Sequence, residues 1–422
     1  MTSVWFKRPI LSWALYDWAN SSFSLIVMTT FVPVLLAGYW NDGAESAVTT
    51  FRLGLANGLA SLVVAATAPA VGALADKAGR RKRGVLIFTA LGVVLTGAMY
   101  FVAQGQWVVG VACYVIASIG FAAGNSLYDS LLVDVASEDL YDRVSAYGFG
   151  LGYLGSALLF TVNVLMVGSP ESFGFSSEAE AVRTTFLMVA AWWALFTIPL
   201  ALWVREPKGG ETAGKGAIRA AFAELLGTLK DLRSQRNLWL FLLAYWLYID
   251  GVYTIIKMAV DFGLSQGLEM QDLISAILIT NFIGFPAAIA FGYIGERIGA
   301  RRGIYIALGV YVITTMAAVF IDTAPEFYAL AITIGLVQGG VQSLSRSLFA
   351  RLVPPGKTGE YFGFYNMLGK FASILGPVLA GVVALATGSQ RVGILSIILL
   401  LGSGLWLLKQ VDLPDGARGE TA

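Results

Sequence analysis

Histidine is absent from the 422 residues of this sequence, and cysteine occurs once, at Cys113. Without histidine, imidazole metal ligands, histidine general bases and Ser-His-Asp triads are excluded. A single cysteine cannot form an intramolecular disulfide. The complete phosphate-binding pattern Gly-x-x-x-x-Gly-Lys-Ser/Thr is also missing, which excludes direct use of ATP through such a loop. Any proton chemistry therefore depends on carboxylates, and no cofactor or metal is expected.

Charged residues are scarce as well. They make up 13% of the chain, against 57% hydrophobic residues, whereas about a quarter of a soluble domain is charged. The formal net charge is +1, which leaves no basic face for nucleic acid. The composition indicates that lipid surrounds most of the chain.

Long apolar stretches occur about twelve times along the chain. Unpaired backbone groups are costly in hydrocarbon, so an apolar stretch of roughly twenty residues is typical of a membrane-spanning helix. Asp17 and Asn20 interrupt what would be a signal-peptide core, so the first stretch is interpreted as a retained helix. The sequence predicts an all-α membrane protein with spans at 11–38, 52–75, 84–103, 107–133, 144–168, 184–204, 237–262, 271–295, 303–321, 326–350, 361–386 and 391–409.

Lysine and arginine are concentrated in alternate loops. Positive residues accumulate in short cytoplasmic loops, so both termini are predicted to be cytoplasmic, in an integral protein of the cell (inner) membrane. The basic side carries Lys7, Arg8, the run from Lys77 to Arg83, Arg143, the residues from Arg205 to Arg236, Arg297, Arg301, Arg302, Arg351 and Lys357. The other side carries Arg52, Arg183 and Arg391.

The longest polar stretch divides the chain. Residues 1–204 and 237–409 each contain six predicted spans, joined by a cytoplasmic linker at 205–236 and followed by a cytoplasmic tail at 410–422. A surface-lying amphipathic helix is predicted within the linker. Its apolar residues recur at helical spacing, at Phe222, Leu225, Leu226, Leu229 and Leu232.

One loop pattern occurs at the same position of each half. After the second span comes Gly72-Ala-Leu-Ala-Asp76-Lys-Ala-Gly79-Arg-Arg81-Lys, and after the eighth comes Gly292-Tyr-Ile-Gly-Glu296-Arg-Ile-Gly299-Ala-Arg301-Arg. Turn glycines and basic loop residues would explain either copy alone. Two copies in register indicate an internal repeat. The pattern resembles the loop between helices two and three of the major facilitator superfamily, which implies two pseudo-symmetric six-helix bundles.

The first copy has the chemistry of a latch. Gly72 permits close approach of helices, and Gly79 allows a tight turn without backbone strain. Asp76 can accept hydrogen bonds from a neighbouring helix N-terminus or pair with Arg81. The resemblance implies that this loop fastens the two halves on the cytoplasmic side, and that the second loop is a weaker copy. Its corresponding residues are Glu296 and Arg301.

Five short strings support a narrower resemblance. They are Tyr16-Asp17-Trp18-Ala19-Asn20-Ser21, Arg143-Val-Ser145-Ala-Tyr-Gly148, Leu247-Tyr248-Ile-Asp250-Gly251, Gln338-Gly339-Gly340-Val-Gln342-Ser-Leu-Ser345-Arg346-Ser347 and Glu360-Tyr-Phe362-Gly363-Phe364-Tyr365-Asn366. The sequence resembles the vacuole-effluxer family, a branch of that superfamily whose fungal members export amino acids from the vacuole. Asp129 and Val133 stand where an uncharged polar residue and a proline are expected, so local substrate contacts are expected to differ.

Charged residues inside spans are costly and therefore candidates for function. They are Asp17, Asp129, Asp250, Lys257, Arg346 and Lys370. Several lie on polar stripes at helical spacing, which are predicted to face one substrate or proton pathway. The stripes are Asp17 with Asn20, Asp250 with Tyr253 and Lys257, and Asn366 with Lys370. The alternative is that these charges form interhelical ion pairs that only stabilise the bundle.

Helices four and ten correspond in the two halves and carry opposite charges. A pair between Asp129 and Arg346 is predicted to form across the halves. A second pair, between Asp134 and Arg351, is predicted to close the cytoplasmic gate. The alternative for the second pair is that both residues are solvated charges at helix ends.

These features predict a secondary active transporter that moves a small solute by alternating access. Carboxylates and lysines in one cavity suit a zwitterionic amino acid, because each charge needs a counter-charge once desolvated. Proton coupling would depend on Asp17 and Asp250. A lipid-handling or sensing protein of the same fold is the alternative, and its polar stripe would face a gap open to the bilayer. An intramembrane enzyme is disfavoured because no nucleophile-base or metal constellation occurs. The chain is expected to function as a monomer.

Overall fold

The computed structural model describes residues 7–41, 43–206, 235–372 and 374–412. Within these ranges almost every residue is helical and none lies in a strand. Twelve helices are long and apolar enough to cross a membrane, which confirms the predicted class and number of spans. They are α1 Arg8–Trp40, α2 Ala47–Ala78, α3 Arg81–Phe101, α4 Trp107–Val135, α5 Glu138–Gly168, α6 Glu178–Trp203, α7 Arg236–Ser265, α8 Met270–Ile298, α9 Ala300–Phe320, α10 Ala324–Leu352, α11 Thr358–Thr387 and α12 Gln390–Lys409.

The helices form two groups of six. In the first group α1 packs against α5 and α6, and α4 against α2 and α3; in the second, α10 packs against α8 and α9, and α7 against α12. Between the groups, α2 packs against α11 and α5 against α8. The domain boundaries remain predictions, since residues 207–234, which include the predicted amphipathic helix, and 413–422 of the tail lie outside the described residues.

Two glycines of the repeated loop occupy backbone conformations that favour glycine. Gly79 follows α2 with a φ of 59°, and Gly299 separates α8 from α9 with a φ of 88°. A Cβ would be strained in this region, and glycine has none. The tight turns place Arg81 and Arg301 at one end of the bundle. We call this end the basic face.

Two helices depart from a regular α-helix. α1 contains the π-helical segments Phe23–Phe31 and Leu36–Trp40. α11 is interrupted between its segments Thr358–Phe371 and Leu375–Thr387. Gly376 before Pro377 predicts a bend, and the interruption lies just before these two residues. Backbone N–H groups freed by such a break need a partner inside the bundle.

α2 and α11 approach each other so closely that only glycine fits at their contact. A Cβ on Gly72 would lie 2.1 Å from the carbonyl oxygen of Gly359, and a Cβ on Gly363 would lie 2.5 Å from Cα of Pro69. These neighbours are backbone atoms, which cannot rotate away as a flexible side chain does. Any larger residue must therefore separate the two helices.

Gly72→Ala is expected to lower the free energy of unfolding by about 1–3 kcal/mol, because the added methyl group overpacks this contact. Gly58→Ala on the same helix is the matched control, since nothing lies within 4 Å of a Cβ there. The measurement is the melting temperature of both purified variants in detergent. Equal melting temperatures would contradict the close contact.

Candidate functional site

Arg346 lies on α10 with 2% of its surface exposed. Its Nε donates to Ser145 Oγ at 2.9 Å, and its Nη2 donates to the Ser145 carbonyl oxygen at 2.9 Å. Nη1 donates to Asp129 Oδ1 at 2.9 Å, and both Nη atoms donate to Asp17 Oδ2 at 3.3 Å. A guanidinium group has five N–H donors in a fixed fork, and these contacts use all five. We call these four residues the Arg346 cluster.

Aromatic rings enclose the guanidinium group. Its Cζ lies 4.3 Å from the ring centroid of Phe149 and 4.7 Å from that of Trp13. Trp13 stacks on Tyr128 with a centroid distance of 4.6 Å and donates from Nε1 to the Tyr128 carbonyl oxygen at 3.1 Å. Cation–π attraction is stronger where water is excluded. The rings therefore stabilise the buried charge.

Gly148, on α5, touches the same charges. A Cβ at this position would lie 2.5 Å from Asp17 Oδ2 and 3.1 Å from Arg346 Nη2. The glycines at positions 148, 150, 152 and 155 predict close helix packing. The structure places Gly148 against the ion pair, where a side chain would displace α1 or the guanidinium group.

The Arg346 cluster joins the two halves and contains unequal charge. Asp17, Asp129 and Ser145 belong to α1, α4 and α5, whereas Arg346 belongs to α10. Asn366 on α11 donates from Nδ2 to Asp129 Oδ2 at 2.9 Å. With both carboxylates ionised, two negative charges face one positive charge. The predicted contact between Asp129 and Arg346 is present, and Asp17 is a second partner that helix alignment did not predict.

Asp250, on α7, contacts α11 and not the Arg346 cluster. Its carboxylate accepts hydrogen bonds from the backbone N–H groups of Leu375 at 3.1 Å and Gly376 at 2.7 Å, and from Thr254 Oγ1 at 3.2 Å. These N–H groups are the ones that the break in α11 frees. The side chain is fully buried. The structure therefore does not bring Asp250 to Asp17, and Asp250 caps the second segment of α11.

The remaining predicted pathway residues lie on α7 and α11. Tyr253 is half-buried and Lys257 is exposed, both on α7. Lys370, on α11, is half-buried, and its ammonium nitrogen lies 5.4 Å from the ring centroid of Phe121 on α4. The contact between Lys370 and Phe121 spans the two halves.

Sequence reasoning missed two residues that contact the predicted site, Asn125 beside Asn20 and Trp13 beside Arg346. Asn20 donates from Nδ2 to Asn125 Oδ1 at 2.6 Å. Asn125 and Trp13 each lie four residues from a predicted carboxylate, so helical spacing was the available signal. Ser145 carries no such signal, because its bonds to Arg346 join α5 to α10 across the halves.

At the basic face, Asp76 caps the start of α11. Its Oδ1 and Oδ2 accept hydrogen bonds from the backbone N–H groups of Gly359 and Glu360, both at 3.0 Å. Arg81 Nε lies 3.5 Å from Asp76 Oδ1. A carboxylate is stabilised at a helix N-terminus by free N–H groups and by the helix dipole. Both predicted contacts of Asp76 are present, and the first one joins α2 to α11.

The second loop of the repeat contacts α5. Glu296 Oε1 lies 3.3 Å from Arg143 Nη1 near the start of α5. Arg301 does not pair with Glu296 and donates to the carbonyl oxygen of Val411 at 2.8 Å. In both loops the acid reaches the other half of the protein, while the base stays within its own half.

The predicted pair between Asp134 and Arg351 is wrong, although the basic face is closed. Asp134 lies 3.0 Å from Arg81 Nη2 within the first half. Arg351 donates to both oxygens of Asp142, at 2.8 and 3.0 Å. Asp142 lies in the first turn of α5, is 3% exposed and also accepts a hydrogen bond from Ser347. A buried carboxylate that takes both arms of a guanidinium group binds it more strongly than one already paired elsewhere.

The twelve helices have the fold of major facilitator transporters, and transporters of this type are not enzymes. The human organic anion transporter MFSD10 (TETRAN) matches with a TM-score of 0.73 at 17% identity, over 95% of this chain and 99% of that one. The major facilitator transporter FucP in the outward conformation gives 0.72 at 13% identity, over 98% of this chain and 100% of that one. Within the described ranges, no group of side chains suited to a metal ion occurs.

The chain belongs to the vacuole effluxer Atg22-like family, whose model matches residues 6–421. YxiO of Bacillus subtilis (strain 168), an uncharacterized MFS-type transporter, is 37% identical over 96% of this chain and 94% of its own. Autophagy-related protein 22 of Coccidioides immitis (strain RS) is 24% identical over 96% of this chain and 87% of its own. Autophagy-related protein 22-1 of Penicillium rubens is 28% identical over 67% of this chain and 51% of its own. The protein is therefore an integral multi-pass membrane transporter of this family.

Arg351→Gln leaves Asp142 buried without its counter-charge, which is expected to cost about 3–5 kcal/mol of folding stability. The exchanged pair, Asp142→Arg with Arg351→Asp, is expected to recover part of that loss. Arg302→Gln is the matched control, because Arg302 is exposed near the same face. Melting temperatures in detergent give the comparison. An exchanged pair no more stable than the worse single variant would show that the two residues do not interact directly.

Asp250→Asn is expected to lower stability by about 0.5–2 kcal/mol, because one amide oxygen replaces two carboxylate oxygens at the start of the second segment of α11. Asp261→Asn, exposed on the same helix, is the control. Hydrogen exchange followed by mass spectrometry should show lost protection at Leu375–Thr387 only in the first variant. Unchanged hydrogen-exchange protection of this segment in Asp250→Asn would show that Asp250 does not cap it.

Proposed function

We propose that the protein moves a small zwitterionic solute, an amino acid, by alternating access coupled to protons. The observation that carries this proposal is the Arg346 cluster, in which one cation of the second half is buried against two carboxylates of the first. Rocking of the halves about a central site has to separate these groups. Opening or closing of the transporter therefore changes which of these buried charges are paired.

The basic face is assigned to the cytoplasm, because the short loops that end there carry most of the lysines and arginines. Both termini are then cytoplasmic, and the membrane is the cell (inner) membrane. Contacts of Asp76, Glu296 and Asp142 with the opposite half hold this face closed. The structure then corresponds to a state closed to the cytoplasm.

Proton coupling is assigned to the carboxylates of the Arg346 cluster. Stranding one member of a buried ion pair costs about 3–5 kcal/mol. Asp17 and Asp129 together carry one negative charge more than Arg346 neutralises, so one proton on either carboxylate balances the cluster. Asp250, which the sequence suggested for this role, is bound to the backbone of α11. Asp129 therefore takes its place as the second coupling residue.

An amino acid suits the distribution of charge around this cluster. Its ammonium group would balance the excess negative charge of Asp17 and Asp129. Lys370, one helical turn beyond Asn366 on α11, offers the opposite charge for a carboxylate. The family is described as vacuole effluxers, which supports efflux of the solute. The burial of Arg346 between helices of both halves favours a solute site over a site that faces lipid.

Asp17→Asn and Asp129→Asn are each expected to melt near the wild-type temperature, because one carboxylate still balances Arg346. The double variant strands the guanidinium group and is expected to lose about 3–5 kcal/mol. In proteoliposomes with an imposed pH gradient, each single variant should lose uphill accumulation of amino acid. The variant in which the proton-carrying carboxylate is replaced should still exchange internal for external amino acid. All twenty proteinogenic L-amino acids are assayed, with Asp261→Asn as the control.

The outcomes separate the parts of the proposal. If the wild-type protein exchanges an amino acid and the pH gradient has no effect, proton coupling is excluded. The assignment of amino acids as cargo then still holds. Neither accumulation nor exchange of any of the twenty would exclude amino acids as cargo. Single variants as unstable as the double variant would assign the two carboxylates to architecture alone.

A further inference from the structure

A second polar layer lies one helical turn from the Arg346 cluster, on the side away from the basic face. On α4, Phe121, Asn125 and Asp129 follow each other at intervals of four residues. On α11, Asn366 and Lys370 have the same spacing. Residues four apart share one face of a helix and are separated by about 6 Å along its axis. Asp129 of α4 and Asn366 of α11 therefore lie at the level of the Arg346 cluster. Asn125 of α4 and Lys370 of α11 belong to the second layer.

Two contacts fix the register between these antiparallel helices. Asn366 bonds to Asp129 at 2.9 Å, and the Lys370 ammonium lies 5.4 Å from the ring centroid of Phe121. Lys370 lies one turn outward from Asn366 on α11, and its ammonium group lies against Phe121, one turn beyond Asn125 on α4. The bond from Asn20 to Asn125 extends the layer to α1, so three helices from both halves contribute to it.

The chemistry of this layer is cationic and rich in donors. Within the part of the chain that the structure describes, Lys370 makes no ion pair and no hydrogen bond, and its charge rests against the face of Phe121. Asn125 Oδ1 is occupied by Asn20, whereas its Nδ2 donates to no atom there. Lys257 on α7 lies within electrostatic reach of Lys370 and adds positive charge. An ammonium group at this depth normally has a counter-ion.

We propose that Lys370 and Asn125 form the subsite that binds the substrate carboxylate, with Asn20 orienting the Asn125 amide. This assignment rests on the proposed function. The neighbouring level, with Asp17 and Asp129, has the complementary excess of negative charge. The two levels are one helical turn apart, about 6 Å along α4 and α11. A solute that bears both an ammonium and a carboxylate group, such as an amino acid, can contact both levels.

Thermal-shift titrations of the purified full chain test this subsite. The probes are the twenty proteinogenic L-amino acids and the corresponding L-amino-acid amides, which lack the carboxylate. The wild-type protein is expected to be stabilised by the free acid and not by its amide. Lys370→Met should weaken binding of that acid by roughly 10- to 100-fold, the usual effect of losing a hydrogen bond to a charged group, and Lys370→Arg should restore part of it.

Two further variants control for folding and for charge. Lys409→Met removes an exposed lysine at the end of α12 and should bind as the wild type does. Asn125→Ala removes the second donor while keeping Lys370, and should weaken binding of the free acid. If Lys370→Met does not fold, Lys370→Arg and Asn125→Ala still decide the question.

Three results would overturn the subsite while leaving amino-acid transport intact. They are amides that stabilise the wild type as well as the acids do, a Lys370→Met variant with wild-type affinity, and an Asn125→Ala variant with wild-type affinity. If no amino acid stabilises the wild-type protein, the proposed cargo fails, and acetate, benzoate and succinate are the next probes. Stabilisation by one of them that depends on Lys370 would keep the carboxylate subsite, and its absence for all three would refute it.

Discussion

The guanidinium group of Arg346 imposes the central constraint on this structure. A charge inside a membrane protein has to be paired, and each of its five donors needs an acceptor. Ser145, Asp17 and Asp129 meet that requirement from three different helices. α1, α4 and α5 of the first half therefore converge on one residue of the second. Gly148 has no side chain because the carboxylate and the guanidinium group fill that space.

α11 depends on contacts with three other helices. Asp76 of α2 caps its start, Asp129 of α4 accepts a hydrogen bond from Asn366 in its middle, and Asp250 of α7 caps the segment after its break. The first two contacts cross between the halves, and the third lies within the second half. In the proposed rocking of the halves, α11 would leave Asp76 and Asp129 and remain attached to Asp250. The break in α11 would then separate a part that changes partners from a part that stays bound to α7.

The basic face and the centre of the bundle use the same chemistry at different depths. Asp142 takes both arms of Arg351 near the membrane surface, and the Arg346 cluster is surrounded by aromatic rings deeper inside. At the surface, water can solvate the separated ions. At the centre it cannot do so without opening the cavity, so a compensating charge has to arrive with the change of state. Protons and a zwitterionic solute are the two sources of such charge in the proposed mechanism.

The sequence by itself determined the number of spans, the repeated loop, the charges within the spans and three contacts. These are the contact of Asp129 with Arg346 and the contacts of Asp76 with a helix N-terminus and with Arg81. Hydropathy, loop charge and helical spacing are local properties, and corresponding helices of a repeat can be aligned from sequence. The tertiary structure decided which partner each remaining charge has. Arg351 binds Asp142, and Asp250 caps a broken helix, because partner choice depends on the rotation of each helix, on where α11 breaks and on which groups are already paired. Packing across the two halves sets those quantities. Residues that neighbour each other in the chain do not predict that packing.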